Sequence, residues 1–262
     1  MEKFTISIII PILNEEQTIG KLLKHLLENS STENISEIIV IDGGSTDNSK
    51  QIVNTFVTSS DSDASESYRE VDGKGLDTFL RSKNTRPDIR LISSEKGRAK
   101  QMNLGAQNAK GNILYFLHAD TFPSKQFDLH IINEVETGKF AGCFKMKFDS
   151  SHWWLKLASW FTQFNWRACR GGDQSLFVTK ELFNRIGGYD ERFVVYEDND
   201  LINKLYAENQ FVIIQHWITT SARRYETNGL WKLQYHFWMI YIKKWFGASA
   251  DELFDYYIKY IK

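Results

Sequence analysis

A chain of 262 residues, 42% hydrophobic and 25% charged, has a globular composition and is long enough to bury a sizeable core. Its formal net charge of −1 removes any bulk electrostatic case for nucleic acid as a partner. The two cysteines, Cys143 and Cys169, stand in no metal-ligand spacing and fit a reducing cytoplasmic compartment. The apolar run after Glu2 and Lys3 is short and broken by Ser7 and Pro11, so no secretory signal is expected. Nor does any stretch reach the ~18 apolar residues that a bilayer span requires.

In chain order, the first half alternates strand and helix. ISIIIP, from Ile6 to Pro11, is an apolar run rich in isoleucine, of the kind found in strands covered on both faces. Asn14 is placed to cap the next helix, in which Ile19, Leu22, Leu23, Leu26 and Leu27 recur at helical spacing. EIIVID, ending at Asp42, is a second buried strand that leads through GGSTD into a helix. Residues 58–87 are serine- and aspartate-rich without periodicity, and read as a mobile surface insertion. IRLISS, RAKQMNLGAQNA and NILYFL then give a strand, a helix and a strand. Beyond residue 123 a helix, the strand GCFKMKFD, the aromatic helix HWWLKLASWFTQF and the loop RACRGGDQS are expected, followed by a helix from YEDND and the strand FVIIQHW. This alternation predicts an α/β fold with a mostly parallel sheet flanked by helices.

Ligands of open α/β sheets lie beyond the carboxyl ends of the parallel strands, where candidate residues collect. Asp42 leads through Gly43 and Gly44 into Ser45, a candidate N-cap; the glycines permit close backbone approach and a helix N-terminus favours an anion. A plain βα turn capped by Ser45 or Asp47 is the alternative. Arg98 and Lys100 open a helix where cations are ordinarily disfavoured, which points to an anion such as a diphosphate, or else to a solvated basic face. His118 and Asp120 share one face of an extended chain after Ile113–Leu117, and a carboxylate there can hold Mg2+ or Mn2+. Alternatively, Asp120 caps the turn before Pro123. Glu197, Asp198 and Asp200 sit at a helix start, where carboxylates are stabilised in any case; Asp198 is one of few candidates for a general base in this half.

Together these segments resemble a known family. ISIIIPILNEEQTIGKLL, EIIVIDGGSTD, GRAKQMNLGAQNAKGNILYFLHAD and GGYDERFVVYEDNDL look like successive motifs of family 2 glycosyltransferases, the inverting enzymes of the GT-A fold. RGGDQSLFVTKELFNRIGGYDERFVVYEDNDL and TTSARRYETNGLWKL resemble more narrowly a bacterial subgroup associated with radical-SAM and selenium-related gene sets. The resemblance implies a donor of the UDP- or GDP-sugar type, with Pro11, Asn14 and Glu15 at the nucleotide edge and Asp42 on the base. It puts Arg98 at the diphosphate, Asp120 at the metal position of the D-x-D motif and His118 beside the ribose or metal. Asp198, next to Glu197, would be the catalytic base, and Asp173 and Gln174 would face the sugar or acceptor. Two departures remove negative charge near the nucleotide: His118 stands where D-x-D has its first aspartate, and Gly43 where D-D-G-S has its second.

The expected organisation is a catalytic domain over residues 1–225, with a nucleotide part to about 122 and an acceptor part from about 123, followed by C-terminal amphipathic helices over 226–262. The expected activity is metal-assisted transfer of a sugar to an acceptor hydroxyl; a catalytically weak nucleotide-sugar-binding protein is the alternative. The segment LWKLQYHFWMIYIKKWFG is aromatic and basic without an acidic residue. It would suit the inner membrane surface and a lipid-linked acceptor, or it packs on the domain with its tryptophans in the core. Arg223 and Arg224 before it would approach the donor phosphates or anchor the helix.

Overall fold

The computed structural model describes residues 3–57, 86–171 and 174–261. The insertion expected at 58–87 lies almost wholly outside the described residues, as does Asp173. The first half comprises β1 (Ile6–Ile12), α1 (Ile19–Asn29), β2 (Ile35–Asp42), α2 (Ser49–Phe56), β3 (Asp88–Ser93), α3 (Arg98–Asn108) and β4 (Ile113–Phe116). After it come β5 (Thr121–Phe122), α4 (Phe127–Glu136), β6 (Ala141–Phe148), α5 (Trp153–Phe161), β7 (Leu176–Thr179) and α6 (Lys180–Arg185). The chain continues through α7 (Glu197–Ala207), β8 (Phe211–Thr220), α8 (Arg223–Asn228), α9 (Leu230–Trp245) and α10 (Ala250–Tyr260).

All these strands join one sheet in the order β3-β2-β1-β4-β7-β6-β8-β5. The β3-β2-β1-β4 block is parallel, and β7 pairs antiparallel with both β4 and β6. Residues of β1 and β4 alternate between two cores. Ile8, Ile10 and Tyr115 join one cluster, while Ile9, Leu114 and Phe116 join the other. Helices therefore cover both faces, which is why these strands are almost wholly apolar, Ser7 of β1 being the polar exception. The first face is closed by Ile19, Leu22, Leu23 and Leu26 of α1, as their spacing predicts.

Three local expectations are corrected. Asn14 does not cap α1, whose N-cap is Thr18. Asn14 takes a left-handed backbone (φ 57°), and its Oδ1 accepts a hydrogen bond from the Thr46 N–H at 2.8 Å. Ser45 does not cap α2, which begins at Ser49; its Oγ accepts from the Asn14 N–H at 2.9 Å. A bond between two neighbouring loops thus wins over local capping preference in both cases. Finally, β4 stops at Phe116, and His118 and Asp120 are brought round by a turn closed by the Thr121 N–H on the His118 carbonyl, 3.1 Å. The two residues are brought to the strand end by that turn rather than by strand alternation.

The far end of the chain forms its own small core. Leu233 and Ile240 of α9 pack with Phe193, Leu253 of α10 and Ile261. The helix does pack on the domain, but its tryptophans stay outside: Trp231, Trp238 and Trp245 are all exposed.

Helix α3 lies close on β1 because of one glycine. A Cβ at Gly105 would come 2.4 Å from Ile9 Cγ2. Alanine would gain about 1 kcal/mol of helix propensity, but overpacking a filled core costs about 1–3 kcal/mol. Gly105→Ala should therefore lower the denaturant midpoint, and an unchanged or higher midpoint would show that α3 can move off β1.

Candidate active site

A cleft of about 2180 Å³ opens beyond the carboxyl ends of the parallel strands. Its walls include Pro11 near the end of β1 and Glu15 just after it, Arg98 after β3 and His118 with Asp120 after β4. From the second half, Gln174, Glu197 and Asp198 complete it. The structure therefore gathers eight expected site residues from segments far apart in the chain. Asn14, Asp42, Gly44 and Ser45 are not in these walls. They form the turn behind Glu15, where the Asp42 carboxylate is buried and accepts the Gly44 N–H at 3.1 Å and the Ser45 N–H at 3.0 Å. Gly44 has φ 94° with open space around it, a backbone that a side chain would strain.

The centre of the cleft is an ion cluster. Gly97 (φ 144°) turns the chain into α3 and presents Arg98. Its Nη1 lies 3.2 Å from Glu197 Oε1 and 3.3 Å from Asp198 Oδ2. Both carboxylates are buried at the start of α7, which follows Tyr196 in a left-handed conformation (φ 77°). One guanidinium cannot neutralise two buried carboxylates. Burial pushes the Glu197 carboxyl up from 4.5 to about 7, against the pull of Arg98, and repulsion from Asp198 adds to the rise.

Sequence reasoning passed over Tyr189. Its buried phenol is pushed well above the ordinary tyrosine value, first by burial and then by the charges of Asp198 and Glu197. The Tyr189 N–H donates to Asn103 Oδ1 at 3.0 Å and the Asn103 amide donates back to the Tyr189 carbonyl at 2.9 Å, so α3 grips the loop leading to α7. Arg98 and the carboxylates it meets are thereby set by one helix. The only signal in the sequence is an aromatic residue in GGYDE just upstream of the acidic run.

Arg170 was also passed over. Its buried guanidinium donates to Gln174 Oε1 at 2.9 Å and to the carbonyls of Thr162 and Phe164 at 2.7 and 2.6 Å. Gln174 also donates to the Cys169 carbonyl at 3.0 Å, so its amide braces this loop while lining the cleft. At the opposite rim Arg223 meets Glu15 at 3.3 Å, and Arg224 donates to the Tyr257 hydroxyl at 2.8 Å. Lys100, expected to share an anion with Arg98, pairs with Glu95 at 2.6 Å.

Among the described residues no three His, Cys, Asp or Glu side chains converge as an all-protein metal cage. The chemistry of Asp120 with His118 fits a different mode, in which Mg2+ or Mn2+ takes one or two protein donors and completes its shell with substrate phosphates.

The family model for glycosyl transferase family 2 matches residues 7–190, the span that holds the parallel sheet, Arg98 and the His118–Asp120 turn. The chain belongs to that family. A relative described as "Probable glycosyltransferase YdaM" from Bacillus subtilis is 24% identical over 217 residues, 77% of this chain and 46% of the relative. The chain spans less than half the length of the curated relatives it matches. Among solved structures, S. aureus TarS 1-349 in complex with UDP-GlcNAc superposes with TM-score 0.60 at 18% identity, covering 83% of this chain and 58% of that one. The mannosyltransferase PcManGT from Pyrobaculum calidifontis, in complex with GDP-Man and Mn2+, has TM-score 0.60 at 16% identity, covering 98% of this chain and 65% of that one. The GT-A fold expected from the motifs is thus the fold of this family 2 chain.

Glu197 makes stability depend on pH. Its folded-state value is raised, so its contribution is complete below about 4.5 and is lost as pH rises through about 7. Urea denaturation of the wild type should show stability falling by up to a few kcal/mol across that window. Glu197→Gln should flatten this fall. A wild-type profile that rises through the window would contradict the reading.

Proposed function

We propose that the cleft catalyses inverting, metal-assisted transfer of a hexosyl group from a nucleoside-diphosphate sugar to an acceptor hydroxyl. The observation that carries this reading is the meeting of Arg98 with Glu197 and Asp198 in the same cleft as Asp120. A cation suited to a diphosphate and a carboxylate suited to a base face each other there.

Asp198 takes the proton from the acceptor hydroxyl as its oxygen attacks the anomeric carbon. The nucleoside diphosphate leaves from the opposite face, so the anomeric configuration inverts. Arg98 turns from the carboxylates to the diphosphate and stabilises the charge that grows on it. Donor binding thus frees Asp198 at the moment a base is needed. Glu197, raised first by burial and further by repulsion from Asp198, holds its proton more readily than an exposed carboxyl, which limits the negative charge beside the acceptor. Asp120, with His118 beside it, would hold Mg2+ or Mn2+, whose role is to offset charge on the leaving phosphates. Pro11 and Glu15 line the nucleotide edge, and Gln174 bounds the sugar or acceptor. The UDP-GlcNAc and GDP-Man bound by the two solved relatives support a donor of the UDP or GDP type, and the Mn2+ in one of them supports the metal. The narrower likeness to the radical-SAM-associated bacterial subgroup and a cytoplasmic site of action belong to the same proposal. No helix among the described residues is long and apolar enough to cross a membrane.

Asp198→Asn should leave nucleotide binding intact and lower turnover by about 10²–10⁴-fold, the usual worth of a positioned base. Proton NMR of the glycoside formed by the wild type should show the anomeric configuration opposite to the donor's. Near-normal turnover in Asp198→Asn would remove the base assignment, and retained configuration would remove the single displacement.

A further inference from the structure

The cleft is larger than a nucleotide sugar needs. At about 2180 Å³ it holds more than twice the ~300–1,000 Å³ typical of a small-ligand site. Its walls extend well past the ion cluster to Trp154, Leu157 and Phe161 of α5 and to Trp238, Tyr241 and Trp245 of α9. The rings are in mutual contact: Trp154 lies 5.3 Å from Trp231 and 6.1 Å from Trp238, centroid to centroid. Trp231, Trp238 and Trp245 recur every seventh residue, so they form one stripe along α9 while Leu233 and Ile240 anchor the helix to its core. All three remain exposed, Trp245 at 84%. Soluble monomers rarely leave contiguous apolar surface on that scale without a ligand or partner for it.

Charge narrows the choice of ligand. Neither α5 nor α9 contains an acidic residue, whereas Lys156, Lys232, Lys243 and Lys244 are distributed over them. Between this aromatic gallery and the carboxylates stands Arg224, whose guanidinium lies 5.1 Å from the Phe237 ring and 5.7 Å from the Tyr257 ring. Arg223 stands beside it at the same rim. A saccharide acceptor would use the aromatic faces together with carboxylates and amides. Here the gallery's amide, Gln234, is engaged by the Trp154 indole N–H at 3.4 Å. An apolar chain ending in an anionic group fits both the walls and the cations.

We propose that the acceptor is an amphiphile: a hydroxyl-bearing head linked through a phosphate to an apolar chain, with the chain lying in the gallery between α5 and α9. The phosphate sits at Arg223 and Arg224, and the head reaches Asp198. The assignment deepens the sugar-transfer reading of this cleft and rests on it only for the role of the head group.

The test uses the full chain and farnesyl phosphate as the probe, with farnesol and inorganic phosphate as separate controls. Titration followed by tryptophan emission should show saturable binding of farnesyl phosphate, clearly tighter than farnesol, and no response to inorganic phosphate. Trp238→Ala and, independently, Leu157→Glu should each weaken it by about tenfold or more, as expected for anchors of an apolar contact. Both residues are partly exposed, and far-UV circular dichroism with UDP and GDP binding should report that each variant is folded. Absence of a saturable response, or equal affinity in both folded variants, overturns the gallery assignment. Equal affinity for farnesol overturns the phosphate link. Binding of farnesyl phosphate by a protein that ignores every nucleotide would leave the gallery standing and remove the sugar-transfer reading instead.

Discussion

Arg98 ties the two halves of the cleft together. It stands at the first position of α3, a helix pressed on β1 through Gly105, and it reaches across to Glu197 and Asp198 at the start of α7. Cations are unfavourable at a helix N-terminus because the helix dipole already places positive charge there. Two buried carboxylates offset that cost, but they exceed what one guanidinium can neutralise, and Glu197 is driven towards its protonated form. The cluster is therefore poised: a diphosphate would satisfy the helix terminus and Arg98 together, leaving Asp198 free to accept a proton.

That arrangement needs the two segments held in place, and α3 does both jobs. Its first residue is Arg98, and its Asn103 makes paired hydrogen bonds with the backbone of Tyr189, on the way to α7. On the opposite wall, the loop between α5 and β7 is organised by a buried Arg170 that spends its hydrogen bonds on Gln174 and on backbone carbonyls. The second half of the chain thus adds the carboxylates and the aromatic gallery to a cleft edge built by the first half.

Much of the first half was legible in the sequence because strands such as β1 and β2 are buried on both faces and so carry runs of consecutive apolar residues, Ile8–Ile10 and Ile38–Ile41. Strands β5 and β7 are two and four residues long and were not read, since their place in the sheet depends on partners distant in the chain. Asn14 and Ser45 were read as helix caps from local preference, yet they bond to each other's loops, a choice only the tertiary fold can make. Arg98, Asp120 and Asp198 were singled out through family motifs, and the fold brings all three to one cleft. The ion pair joining Arg98 to Asp198, one hundred positions apart, was not visible in the sequence. Nor was the exposure of the α9 tryptophans, because a seven-residue repeat of large apolar side chains normally marks a buried seam.

The central claim is that this cleft binds a nucleoside diphosphate through Arg98 and a metal held by Asp120. A thermal-shift comparison of UDP, GDP, CDP and TDP, each with and without Mn2+, tests it directly. Ligand at ~100 times its dissociation constant adds ~2.7 kcal/mol to the folded state, which such a scan resolves. The account predicts a shift for UDP or GDP that requires Mn2+ and disappears in Asp120→Ala. No shift with any nucleotide, or one indifferent to both metal and Asp120, would contradict it.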